Sequence, residues 1–121
     1  MKYTSLEQSR ELIGLGLDPS TADMDHYKKK DGWVTLPRKQ ISYGGFQIIP
    51  CWSLDALLDL MPKPMEYQGS FCYPELDLFS HKIYYMVGGA TYLIIGGMDN
   101  LDAAYNTVVW LIKNKCIGSN K

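Results

Sequence analysis

Cys51 stands two residues ahead of Ser53 in the stretch PCWSLDALLDLMP, Pro50 to Pro62, and Ser53 opens a helical pattern. A helix N-terminus lowers a thiol pKa, so a nucleophilic cysteine is one chemistry this spacing offers. Asp55 opposes it, because a carboxylate in the first helical turn disfavours a thiolate. The chain has two histidines, His26 and His81, and neither is close in sequence to serve as the base. The same residues also have a structural explanation. Ser53 is a good N-cap, Trp52 precedes it, and Leu57 sits where a hydrophobic staple partner belongs. That explanation is the stronger, and Cys51 is expected to be a packed bystander.

Asp23, Asp25 and His26 in DMDH place two carboxylates and an imidazole within four residues. Those are metal-ligand types, but the spacing matches no calcium loop and no zinc motif. A solvated loop edge is the expectation. The glycine pairs in SYGGF, MVGGAT and IIGGM fit neither a P-loop nor GxGxxG. IIGGMDN does run from strand to helix, where an anion could bind, yet Asp99 and Asp102 would repel it. Turn glycines are expected. HYKKKDGW carries a basic run with flanking aromatics. It reads as a solvated loop, with a weak single-strand contact through Tyr27 and Trp33 as the alternative. No catalytic residue, metal or cofactor is expected from these patterns.

Aromatic residues offer the better functional lead. Trp110 points away from the centre of the last helix's apolar stripe, on the side of Ala103, Asn106 and Thr107. Either another helix covers it, most simply the first, or it marks an oligomer or partner surface. The chain also has nine tyrosines. Tyr73, Tyr84 and Tyr92 are expected on the sheet face turned from the helices, and an exposed aromatic face marks a binding surface. The candidate interaction surface is therefore Trp33, Tyr73, Tyr84 and Trp110.

These residues need elements to position them. Thr4 to Leu15 reads as a first helix, opened by a capping box of Thr4 and Glu7 and stopped by Gly14 and Gly16. Asp18 and Pro19 begin a single helical turn. Residues 26–45 read as a long, mobile loop with some strand character. In Ser53 to Met61, Leu54, Leu57, Leu58 and Met61 form an i, i+3, i+4, i+7 stripe. EYQGSFCYPELDL, HKIYYMV and ATYLIIG read as three strands, with a glycine hairpin between the last two. Asn100 to Lys115 is the final helix, capped by Asp99 or Asn100.

The whole chain bounds the answer further. At 121 residues and 46% apolar composition it suits one globular domain over 1–121. A net charge of -1 gives no strong nucleic-acid signal and no attraction to an anionic membrane. MKYTSLEQSRELIG has no apolar core of a secretory signal, and no apolar run approaches a membrane span. Three widely spaced cysteines without CxxC complete the expectation of a cytoplasmic protein with reduced thiols.

Three segments together carry a resemblance: EQSRELIGLGLDPSTADM, PCWSLDALLDLMP and NLDAAYNTVVWLIKNKCI. In this order they resemble a group of short uncharacterised proteins of gut Bacteroidales genomes, their phages and mobile elements. The group's pattern is EQS…LGL…TADM, then P-x-WSL-x-ALL-x-L, a β region, and a helix of DAA…WLL type. The match covers less than half of the chain and leaves the β region unmatched. It implies a shared fold and a mobile-element origin, and it carries over no catalytic residue. Cys51 falls on a variable position of that pattern and Trp110 on its recurrent tryptophan. KNKCI replaces the group's glycine-containing ending.

The expected fold is α+β, with N-terminal helices, a three-stranded antiparallel meander and a C-terminal helix packed on the sheet. The expected core is Leu6, Ile13, Leu54, Leu57, Leu58, Phe71, Ile83, Tyr85, Ile94, Leu101, Ala104, Tyr105, Val108 and Ile112. The expected function is that of a non-enzymatic accessory or protein-binding protein of a phage or mobile element, by a protein partner or self-association. The alternative is a small ligand-binding domain or enzyme with a pocket between the 26–45 loop and the sheet.

Overall fold

The computed structural model describes residues 2–38, 47–67, 69–87 and 90–117. Helix α1 spans Leu6–Gly14. Its cap is Ser5, whose hydroxyl accepts the Gln8 amide while the Gln8 side chain accepts the Ser5 amide. The capping box is therefore one residue later than Thr4 and Glu7, because the Thr4 hydroxyl is buried and accepts the Trp52 amide. The helix ends in a Schellman turn. Leu17 N donates to Leu12 O and Gly16 N to Ile13 O, with Gly16 at φ 96°. A single 3-10 turn, Pro19–Thr21, follows under the Asp18 cap, as the sequence predicts.

The 26–45 loop expectation needs correcting. Strand β1, Met24–Lys29, and strand β2, Gly32–Pro37, form an antiparallel hairpin with Lys29 opposite Gly32. Two residues, Lys30 and Asp31, make the turn, and Gly32 adopts φ 138°, which suits glycine. Residues 39–46 lie outside the described part. Strand β3, Ile48–Cys51, pairs with the other edge of β1, giving a three-stranded antiparallel sheet in the order β2-β1-β3.

Helix α2 spans Leu54–Asp59, with Ser53 as N-cap accepting the Ala56 amide, as its sequence requires. The meander then has four strands rather than three: β4 Met65–Tyr67, β5 Ser70–Asp77, β6 Lys82–Val87 and β7 Ala90–Gly96, paired in that order. The additional strand is short, and its residues had been read as the start of its neighbour. Helix α3, Asn100–Lys113, begins where the Asp99 carboxylate accepts the Asp102 amide. It packs on β6, β7 and α2. The fold is α+β with three helices and two antiparallel sheets among the described residues.

One core joins these pieces. Leu12 from α1, Leu57 from α2, Met65, Cys72, Ile83 and Tyr85 from the sheet, and Leu101, Val108 and Leu111 from α3 share a single buried cluster with Trp52. Three expected core residues, Leu6, Phe71 and Ile94, are not in it, and Ile13, Leu54 and Leu58 are half-buried against it. Phe71 and Ile94 are 59% and 52% exposed. Side chains alternate along a strand, so burial of Cys72 sends Phe71 outward. Ile94 likewise faces out between the half-buried Leu93 and Ile95. Among the described residues, no helix is long and apolar enough to cross a membrane.

Candidate functional site

The four-stranded sheet buries one face under the helices and presents the other. Register fixes which residues meet there. Tyr73 lies opposite Met86, Glu75 opposite Tyr84, and Asp77 opposite Lys82. Across the next ladder, Tyr84 lies opposite Ile94 and Met86 opposite Thr91. Phe71 lies opposite Glu66 at the other side. Cross-strand partners share a face, so Phe71, Tyr73, Tyr84, Met86 and Ile94 form one continuous apolar strip. Tyr73 is as exposed as Phe71, at 59%. Such a strip on a small chain marks a contact surface.

The β5–β6 turn extends this surface. The Asp77 carboxylate accepts the backbone amides of Phe79, at 3.0 Å, and Ser80, at 3.3 Å. Those bonds, with the Ser80 hydroxyl first, hold the Asp77 carboxyl below its ordinary pKa. They also fix a turn that leaves Leu78 62% and Phe79 98% exposed. Between turn and strands runs a groove of about 540 Å³, lined by Tyr84, Met86, Leu78 and Phe79 together with Glu75 and Asp77.

Of the residues singled out from sequence, Tyr73 and Tyr84 are brought together on this face. Tyr92 belongs to β7, and its side chain lies outside the described part. Trp33 is on β2 of the other sheet, half-buried, with the Lys28 ammonium 5.8 Å from its ring. Trp110 is half-buried against the core cluster, and Ala103 and Thr107 on its side of α3 are fully buried. Phe71, Met86, Ile94, Leu78 and Phe79 were missed. Strand alternation could have placed Phe71 and Met86, because Tyr73 and Tyr84 already define the outward sets of β5 and β6.

The groups that could do chemistry are engaged elsewhere. Cys51 is fully buried, and burial pushes its thiol up to about 12, with the Asp25 and Asp23 carboxylates acting in the same direction. Both effects disfavour the thiolate that a nucleophilic cysteine needs. Asp23 accepts the Ser53 amide at 2.9 Å and the Ser53 hydroxyl. Asp25 is 3% exposed and pairs with Arg38, Nε to Oδ1 at 3.2 Å. The Arg38 Nη1 also donates to the Pro19 carbonyl at 2.6 Å. His26 is 5% exposed, with its ring nitrogens against Thr35 Oγ1 and the Thr4 carbonyl. DMDH is thus structural rather than a solvated edge, with Asp25 and His26 buried inside the first sheet. Among the described residues no group of three or more metal-binding side chains converges.

Two other patterns resolve in the same way. At the α3 start, the Met98 amide donates to Asp102 and the Asp102 amide to Asp99, so the chain's own carboxylates occupy that terminus. Tyr27 is 5% exposed, which removes it as a stacking platform for a single strand. His81 meets Asn100, Nδ1 to Oδ1 at 2.8 Å. The chain matches no protein-family model, no curated protein sequence and no solved structure.

Proposed function

We propose that this chain is a non-enzymatic accessory protein of a phage or mobile element, acting through protein contacts on the outer face of the four-stranded sheet. The mobile-element origin rests on the resemblance of its three helical segments. The docking reading is carried by one observation: Phe71, Tyr73, Tyr84, Met86 and Ile94 share a face that the helices leave uncovered. Aromatic residues and methionine are the side chains enriched in protein interfaces. The burial of Cys51, Asp25 and His26 supports the non-enzymatic part, since none is presented to a substrate.

A small-ligand site is the second reading, and the groove beside Tyr84 favours it. That groove lies between strands and the β5–β6 turn. Among the described residues, none of its lining comes from 26–38, part of the loop where the sequence reading puts a pocket.

The test compares the wild type with Ile94→Glu and Tyr73→Ser in hydrogen exchange against captured host proteins. Partner binding is expected to protect residues 70–77 and 82–87, and both substitutions are expected to abolish it. Capture unchanged by both substitutions would overturn the reading. A captured metabolite lost on Tyr84→Ala, with no protein bound, would favour the second.

A further inference from the structure

We infer that the groove on the outer sheet face receives the β1–β2 hairpin tip of a second copy of this chain, so that the protein self-associates through two unlike surfaces. The inference rests on the outer face being a protein-docking surface, and it names the partner. The tip offers Lys28, Lys29 and Lys30, all exposed, next to Trp33. Lys28 is held over the half-buried Trp33 ring at 5.8 Å, which gathers cation and aromatic surface at one end of the hairpin, while Lys29 sits 5.9 Å from the ring of the buried Tyr27. The groove offers the complement. It is lined by Tyr84, Met86 and Phe79 together with Glu75 and Asp77.

Charge matches in size as well as sign. The tip has three lysines against Asp31, a surplus of two positive charges. The face has Glu66, Glu75 and Asp77 against Lys82, a surplus of two negative charges. Asp77 is kept ionised by the Phe79 and Ser80 amides, while Glu75 makes no hydrogen bond or ion pair among the described residues. A lysine entering the groove can lay its methylene stem on Tyr84 and Met86 and bring its ammonium to Glu75. The tip and the groove belong to different sheets, so the contact joins unlike patches. It continues either into a closed pair with two reciprocal contacts or into an open chain. One hairpin tip is a small interface, of the weak and transient class.

Sedimentation equilibrium of the full chain tests this over a wide concentration range, at low salt and at about 0.5 M salt, where charge contacts are screened. The weight-average mass is expected to rise above 13.7 kDa with concentration at low salt and to fall back at high salt. Glu75→Lys alone, and Lys28→Glu with Lys30→Glu, are each expected to weaken association about tenfold or more. Mixing those two variants is expected to restore it, because the reversed charges again face each other. Circular dichroism confirms that each variant is folded. A wild type that stays monomeric at all concentrations, or association indifferent to both reversals, overturns the inference. In the first case the docking face itself still stands or falls by the exchange experiment with captured proteins. A synthetic peptide of the tip, KKKDGW, that binds wild type but not Glu75→Lys supports the groove's preference for this segment. A peptide bound equally by both overturns it.

Discussion

The imidazole of His26 donates Nε2–H to the carbonyl oxygen of Thr4 across 2.7 Å. A carbonyl can only accept, so Nε2 carries a proton, and Nδ1 lies 2.6 Å from the Thr35 hydroxyl. Thr4 is the hub of a closed network. Its hydroxyl accepts the Trp52 amide at 3.0 Å and meets the Ser9 hydroxyl at 2.8 Å, while its own amide donates to the Trp52 carbonyl at 2.8 Å. The N-terminal segment, α1, β1 and the approach to α2 are thereby locked together by buried polar groups.

Breaking that lock at one partner should be costly. His26→Ala leaves the Thr4 carbonyl and the Thr35 hydroxyl without their buried partner, and Thr4→Val does the same to the Trp52 amide. Each is expected to destabilise the fold by about 1–3 kcal/mol, the range for an orphaned buried polar group. Urea unfolding followed by tryptophan fluorescence measures it. A loss below about 0.5 kcal/mol for both would contradict the network.

Thiol chemistry should follow burial. Cys51 and Cys72 are fully buried and Cys116 is half-buried. Cys116 is expected to react with Ellman's reagent in the native protein, and the other two only after unfolding. The folded Cys51 pKa, about 12, lies above its ordinary value of 9.0. The folded state therefore holds a proton that the unfolded state releases, and stability falls as pH rises from about 9 toward 12. Cys51→Ala should flatten that alkaline loss in denaturation curves taken across the interval. Rapid native labelling of Cys51 at neutral pH would contradict the packed reading.

The end of β7 is built around one close approach. A side chain on Gly97 would run into the Ala103 backbone at the start of α3, whereas one on Gly96 would meet mainly the flexible Lys82 side chain. Gly97→Ala is expected to cost about 1–3 kcal/mol from overpacking, and Gly96→Ala distinctly less. Thermal unfolding of the pair is the check. Equal shifts would mean that α3 is not seated as described.

Helix signals were the most legible part of the sequence. Ser53 and Asp99 cap the helices they were expected to cap, because an N-cap is a local hydrogen bond that needs no knowledge of the fold. Thr4 was not legible for the opposite reason: tertiary contacts with Trp52 and His26 took it from its helix. Asp31-Gly32 was a hairpin signal in plain view, hidden by the polar lysines around it. Ile94 was misassigned because β7 reads YLII over 92–95, apolar at every position, so no period separates the two faces, whereas Phe71 on β5 alternates with the buried Cys72. Tyr73 and Tyr84 were placed on the uncovered face. Among their neighbours Ile94 needed the register, and Trp33 and Trp110 lie on other elements.

The two faces of the sheet should respond differently to substitution. Ile83 is 2% exposed in the core and Ile94 is 52% exposed on the outer face, one ladder apart. Ile83→Ala removes packed methylenes and leaves a cavity, which costs about 2–5 kcal/mol. Ile94→Thr keeps a β-branched side chain on an exposed strand position and should cost under about 1 kcal/mol. The same Ile94 change, and Phe71→Ser with it, should weaken whatever docks on the face, because each removes exposed apolar area from the strip. Denaturant midpoints give the stabilities, and sedimentation or capture gives the binding. If Ile94→Thr unfolds the protein as readily as Ile83→Ala, that side chain is packed in the core and the outer face is not the uncovered surface on which docking depends.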